Sequence, residues 1–129
     1  MKKVYIIAKM LMLTCTVAMA QKQAQIKFDK TSHNFGSFPE SNPKVSCTFT
    51  FTNVGDAPLV LNQVMASCGC TTPTYTKTPI APGEKGEVKV VYDGKGKYPG
   101  PFKKTVTVRT NGVPEATRLY IEGDMVEGK

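Results

Sequence analysis

Tryptophan is missing from this chain, and histidine occurs once, as His33. The first absence removes the buried indole that marks antibody-type domains. A single imidazole leaves few ways to build a zinc site, which wants four ligands, or to set a nucleophile beside a base. No apolar run reaches membrane-spanning length. No glycine-rich loop follows a strand and opens a helix, so a phosphate cradle is not encoded. Carboxylates such as Glu84 and Glu87 flank a turn and a strand start, where solvated acids are ordinary. The formal net charge is +7, but the lysines are scattered and Lys103-Lys104 is the one basic pair after the N-terminal segment. Nucleic-acid binding wants a clustered basic face with aromatics between the charges, which this pattern lacks. The chain is therefore expected not to be an enzyme, and to need no cofactor.

What is present begins with an export signal. Met1-Lys2-Lys3 is a short basic start, and residues 4–17 are mostly apolar, interrupted by Lys9. Ala18-Met19-Ala20 is a small-x-small cleavage site, so residues 1–20 read as a signal peptide and the mature chain as starting at Gln21. Cys15 is the alternative, as a lipoprotein acceptor, but Met12-Leu13-Thr14 makes a poor lipobox before it. The expectation is a periplasmic or secreted protein without a transmembrane segment. Cleavage takes Lys2, Lys3 and Lys9 with it, and also Met1, Met10, Met12 and Met19 of the six methionines. The methionine content belongs to the signal, and gives no support to a methionine-rich copper tract.

The remaining chain alternates with period two. Val45, Cys47, Phe49 and Phe51 share one parity, against Ser46, Thr48, Thr50 and Thr52. Asn53-Val54-Gly55-Asp56 breaks this strand as a turn whose residues tolerate unusual dihedrals. Leu59-Val60-Leu61 opens the next strand, with Val64, Ala66, Cys68 and Cys70 on one parity. Ala81-Pro82-Gly83-Glu84 turns into Val88-Lys89-Val90-Val91-Tyr92. A Gly/Pro loop over 93–101 follows, then Thr105 to Arg109, a hairpin-type turn at Thr110-Asn111-Gly112, and Arg118 to Glu122. Ile26-Lys27-Phe28 and His33-Asn34-Phe35 form a broken first strand. About seven strands and no helix predict an all-β, immunoglobulin-like Greek-key sandwich over residues 21–125, with 126–129 a short tail.

Several of these residues together resemble a known family. Phe49-x-Phe51-x-Asn53-x-Gly55, Leu59-x-Leu61, Ser67-Cys68-Gly69-Cys70-Thr71 and Pro79-Ile80-x-Pro82-Gly83-Glu84-x-Gly86 resemble the secreted bacterial "domain of unknown function 1573". Gly100-x-Phe102-x-Lys104, Thr110-Asn111 and Leu119-x-Ile121-x-Gly123 fit the same pattern. That family is similar to Hydin-like immunoglobulin-fold domains, which implies a binding or assembly role and assigns no reaction.

Cys68 and Cys70 are the chemistry-bearing residues. Residues i and i+2 of an extended segment point the same way, so both sulfurs can meet one point. Three readings stay open. Both can be buried structural thiols; they can form a disulfide with each other or with Cys47; or two thiolates can hold Cu(I). A Cys68–Cys70 bond needs a local turn, because extended i,i+2 Cα atoms sit near the upper limit for bridging. His33 has no sequence reason to join them. Tyr92, Tyr98 and Phe102 around the Gly/Pro loop form a candidate contact patch, against the alternative that they frame the loop on the core. The expected function is an exported binding or assembly module with a protein or cell-envelope partner. The alternative is a periplasmic thiol protein binding Cu(I) or exchanging disulfides through Cys68 and Cys70.

Overall fold

The computed structural model describes residues 22–128; the expected signal peptide, its cleavage site and Cys15 lie outside them. Among the described residues eight strands make up the fold: β1 (Ile26–Phe28), β2 (Ser32–Pro39), β3 (Lys44–Asn53), β4 (Leu61–Ala66), β5 (Thr71–Tyr75), β6 (Lys85–Asp93), β7 (Gly100–Thr110) and β8 (Ala116–Val126). They form two four-stranded sheets, ordered β1-β3-β6-β5 and β2-β8-β7-β4. Every paired neighbour is antiparallel except β2 and β8, which run parallel. Two strands go beyond the named ones: the broken first strand is two, β1 and β2, and β5 follows the cysteines where the alternation named no strand. After Phe28 the chain leaves β3 and crosses to the other sheet, so β1 and β2 cap different layers.

Alternation explains the core. Phe49, Phe51, Val88 and Val90 project from one sheet onto Val106, Val108, Leu119 and Ile121 of the other, and all eight are fully buried. Each contributes about 1.5–3 kcal/mol by leaving water. One end is closed by aromatics: Tyr92 stacks on Phe102 with centroids 3.9 Å apart, and Phe38 meets both rings edge-on.

Three local expectations change. The loop after β6 is shorter than the sequence suggests, because Gly100 and Pro101 already pair with Met125 and Asp124 of β8. Pro101 is tolerated there because β4 reaches only Val106, so that end of β7 has one neighbour. Thr110-Asn111-Gly112 does not make a two-residue hairpin; the connection runs over 111–115, and the Asn111 side chain instead accepts from Val60 N–H and donates to the Pro58 carbonyl. Val126, expected in the tail, is the last residue of β8 and pairs with Pro39.

Asn53 and Gly55 also act differently from a simple turn pair. Asn53 ends β3 fully buried. Its Oδ1 accepts from Gln25 N–H (3.3 Å) and Gly55 N–H (3.0 Å), while Nδ2 donates to the Ala57 (2.8 Å) and Ile80 (2.9 Å) carbonyls. Gly55 has no positive φ; it is glycine because the backbone of Gln23, Ala24 and Gln25 occupies the place of a Cβ. Left-handed backbone is used instead at Gly83 (φ +83°), whose N–H donates to the Asn53 carbonyl.

Candidate functional site

The two sulfurs sit in the connection between the sheets. β4 ends at Ala66, and Ser67 then bonds twice to Thr105: its N–H donates to the Thr105 carbonyl (2.9 Å) and its Oγ accepts from Thr105 N–H (3.1 Å). The chain turns at once, with Thr71 N–H donating to the Cys68 carbonyl (3.2 Å). The Cys70 carbonyl accepts from Asp93 N–H (2.9 Å), and β5 starts at Thr71 opposite Tyr92. Cys68 and Cys70 therefore lie on a turn, whereas the parity of Val64 and Ala66 placed them on a strand. The turn brings their Cα atoms to 5.4 Å, within bridging range, against about 6.6–7.2 Å for an extended pair.

In this structure Cys68 and Cys70 are joined as a disulfide, and Cys47 is a free thiol. The bond closes a loop so short that chain-entropy arguments give it only about 1.6 kcal/mol, the smallest class of staple. Cys70 N–H donates to Cys68 Sγ (3.2 Å), and Cys70 Sγ lies 3.7 Å from Thr71 Oγ1. Both cysteines are half-buried, Cys70 packing partly on the core. Beside them an open hollow of about 510 Å³ is lined by Cys68, Gly69, Cys70, Asp93, Lys95 and Lys97. Asp93 Oδ1 accepts from Lys95 N–H (3.0 Å), which shapes the loop over the sulfurs. Lys95 and Lys97 are the residues that sequence reasoning missed. They lie far along the chain, and only the pairing of Asp93 with Cys70 reveals that their loop covers the turn.

The other expected partners are elsewhere. Cys47 faces Val90 on β3, and β6 separates it from β5, two strand spacings or about 10 Å. A link from Cys47 to the pair does not form. His33 lies on β2, at the edge of its sheet opposite β4. Lys30 Nζ donates to its Nδ1 (3.0 Å), and burial together with the Lys30 charge lowers its pKa. Among the described residues no three His, Cys, Asp or Glu side chains gather as a metal cluster. The aromatic trio divides: Tyr92 and Phe102 are stacked on the core, and Tyr98 is 95% exposed at the loop tip.

Burial pushes the Cys47 thiol up to about 11, against the smaller pull of Lys30, and burial also raises Tyr92, with Asp93 adding to it. Both groups fold best uncharged: the Cys47 contribution is complete below the unfolded thiol value of about 9 and is lost as pH rises toward 11, and Tyr92 adds its own loss above the ordinary tyrosine value of 10. Urea midpoints should therefore fall between pH 9 and 11, and Cys47→Val should flatten that fall. An unchanged slope in the variant would show that Cys47 is not the cause.

Two sheets with β1-β3-β6-β5 and β2-β8-β7-β4 order define an immunoglobulin-like sandwich. The chain belongs to the family described as "Protein of unknown function (DUF1573)", whose model matches residues 26–125. Among solved structures it is similar to a protein of unknown function from Porphyromonas gingivalis W83, with TM-score 0.70 and 17% identity over 84% of this chain and 50% of that one. It is also similar to PapD-like domain 7 of human CEP192 (TM-score 0.65, 10% identity, 86% and 92% coverage). A third likeness is to the periplasmic chaperone SfaE (TM-score 0.55, 14% identity, 81% and 59% coverage). At these identities the likeness establishes the fold. The chain spans half of the Porphyromonas protein. No curated protein sequence matches this chain.

Proposed function

We propose that the chain is an exported, non-catalytic binding or assembly module that takes an extended segment of a protein partner of the cell envelope along the open edge of β4. The observation that carries this reading is the state of that edge. β1 is three residues long, β5 contains Pro73, and β2 is broken by a register shift between Asn34 and Ser37. Those are the devices that blunt sheet edges. β4 has a register shift of its own between Leu61 and Gln63, but from Gln63 to Ala66 it pairs regularly, and it carries no proline and no charged side chain. Met65 is 53% exposed on it, beside a small hollow of about 80 Å³ formed with Gln63, Thr107 and Arg109. Since Ser67 N–H points to β7, alternation turns the Val64 and Ala66 N–H groups outward, where an added strand would bond them. The likeness to PapD-like and chaperone domains supports a binding role for the fold.

A photo-crosslinker at Met65, expressed in the native cell, should capture a partner, and Ala66→Pro should abolish the capture. The proline removes an outward donor and no ladder bond, so the melting temperature should change little. Met65→Lys, which charges the edge, should weaken capture as well. A partner retained at full yield in both variants overturns strand addition. The intact mass of the same preparation reads the N-terminus: a start at Gln21 supports cleavage after Ala20, and a lipid on Cys15 replaces it with export as a lipoprotein.

A further inference from the structure

Most of the residues that carry the family resemblance are occupied by the fold. Phe51, Asn53, Gly55, Leu59, Ile80 and Gly86 are core, hydrogen-bond hub or close-approach positions, and Gly83 supplies a left-handed turn. Cys68, Gly69 and Cys70 are different. Their bond staples almost no chain, and a Cβ at Gly69 would meet nothing within 4 Å. The space beside the sulfurs is open.

We propose that Cys68 and Cys70 are a redox-active pair that accepts electrons from protein dithiols, with Cys68 the sulfur that forms the mixed disulfide. This goes beyond the strand-addition reading and stands or falls independently of it. Three features carry it. First, the turn is clamped at both ends, by Ser67 N–H to the Thr105 carbonyl and by Asp93 N–H to the Cys70 carbonyl. Neither clamp involves a sulfur, so opening the bond leaves the ladders intact and holds the two thiols near each other for reclosure. Second, the reduced form is favoured at Cys68: its Sγ already accepts Cys70 N–H at 3.2 Å, and the hollow places Lys95 and Lys97 against one carboxylate, Asp93. A donor and nearby ammonium groups stabilise a thiolate, and a stabilised reduced form makes the disulfide an oxidant. Third, the remaining thiol is kept out. Cys47 lies about two strand spacings away, beyond β6, and is half-buried, so the exchange does not scramble.

The step balances without another reagent. A partner thiolate attacks Cys68 Sγ, the Cys68–Cys70 bond breaks, and Cys70 leaves as a thiolate beside the Thr71 hydroxyl. The partner's second thiolate attacks its own sulfur in the mixed disulfide, and Cys68 leaves as the thiolate held by Cys70 N–H. Two electrons pass to the pair, the partner gains a disulfide, and its two protons go to the released thiolates or to solvent.

The test uses the mature protein, its Cys70→Ser and Cys68→Ser variants, and a peptide carrying a Cys-x-x-Cys dithiol. The oxidised wild type should oxidise the peptide at pH 7, raising the thiols alkylated after unfolding from one per protein, Cys47, to three and yielding one peptide disulfide. Cys70→Ser should trap a mixed disulfide with the oxidised peptide through Cys68, at least tenfold faster than Cys68→Ser traps one through Cys70. Its Cys68 should titrate below a free cysteine, and Lys95→Gln/Lys97→Gln should raise that titration with no loss of melting temperature. Equal trapping in the two variants overturns the assignment of Cys68. A pair that stays oxidised in excess peptide, or a reduced pair that takes up one Cu(I) and exchanges no faster than a simple peptide disulfide, overturns the proposal itself.

Discussion

Replacing Asn53 with alanine should lower the unfolding free energy by about 3–4 kcal/mol, at roughly 1 kcal/mol for each of the four hydrogen bonds, one buried and three part-buried, that its fully buried side chain makes. Its amide ties the chain before β1, at Gln25, to the turn after β3, at Gly55 and Ala57, and to Ile80. Ile80 in turn bridges to Leu59 by reciprocal backbone bonds of 2.8 and 2.9 Å. Alanine would leave Gly55 N–H and the Ala57 carbonyl facing a hole, where an unmade bond costs more than a made one gains. With domains of this size stable by about 5–15 kcal/mol, the loss is a large part of the whole. Asn111→Ala is the matched control. Its side chain also makes two bonds to backbone, at Val60 and Pro58, but at an exposed position, and should cost about 1 kcal/mol. Urea midpoints at constant slope measure both. A loss at Asn53 no larger than at Asn111 would show that water or neighbouring groups replace the amide.

Asn53 also shows where the sequence is legible and where it is not. Period-two alternation located β3, β6, β7 and β8, because each has one face in the core and the pleat forces its side chains to alternate. It also located the break between β1 and β2. It could not say that the break carries the chain to the other sheet, since both halves alternate alike. Around Asn53 the residue types announced a turn correctly, yet the physical reason is long-range: the groups that need this amide and this missing Cβ are at 23–25 and 80. The cysteine turn failed in the opposite direction. Val64, Ala66, Cys68 and Cys70 keep one parity in the sequence, and parity is blind to a chain that has stopped being extended. The stack of Tyr92 on Phe102 was hidden for a related reason. Glycines and prolines between them mark a loop, and nothing local says that its two ends, on opposite sheets, meet across the core.

The pairing of Phe51 with Gly86 permits a prediction in which the sign of a mutation depends on its neighbour. The two residues face each other across β3 and β6, and the Phe51 ring lies over the glycine where a Cβ would project. Phe51 is fully buried and also meets Phe28 edge-on, with ring centroids 5.4 Å apart. Truncating it to alanine should cost about 3–5 kcal/mol, the range for a large aromatic in a packed core. Gly86→Ala alone should cost about 1–3 kcal/mol, because the new methyl must push the ring out of its place. In a Phe51→Leu background the shorter side chain vacates that space. The same Gly86→Ala change should then be neutral or stabilising, since alanine in a strand recovers about 0.5–1 kcal/mol that glycine loses to chain entropy. A double-mutant cycle on denaturation midpoints isolates the coupling, expected at 1 kcal/mol or more in the direction of compensation. Equal costs of Gly86→Ala in both backgrounds would mean that the ring is not what excludes the methyl. The glycine would then be required by the backbone of β6 itself, despite its φ lying outside the left-handed region.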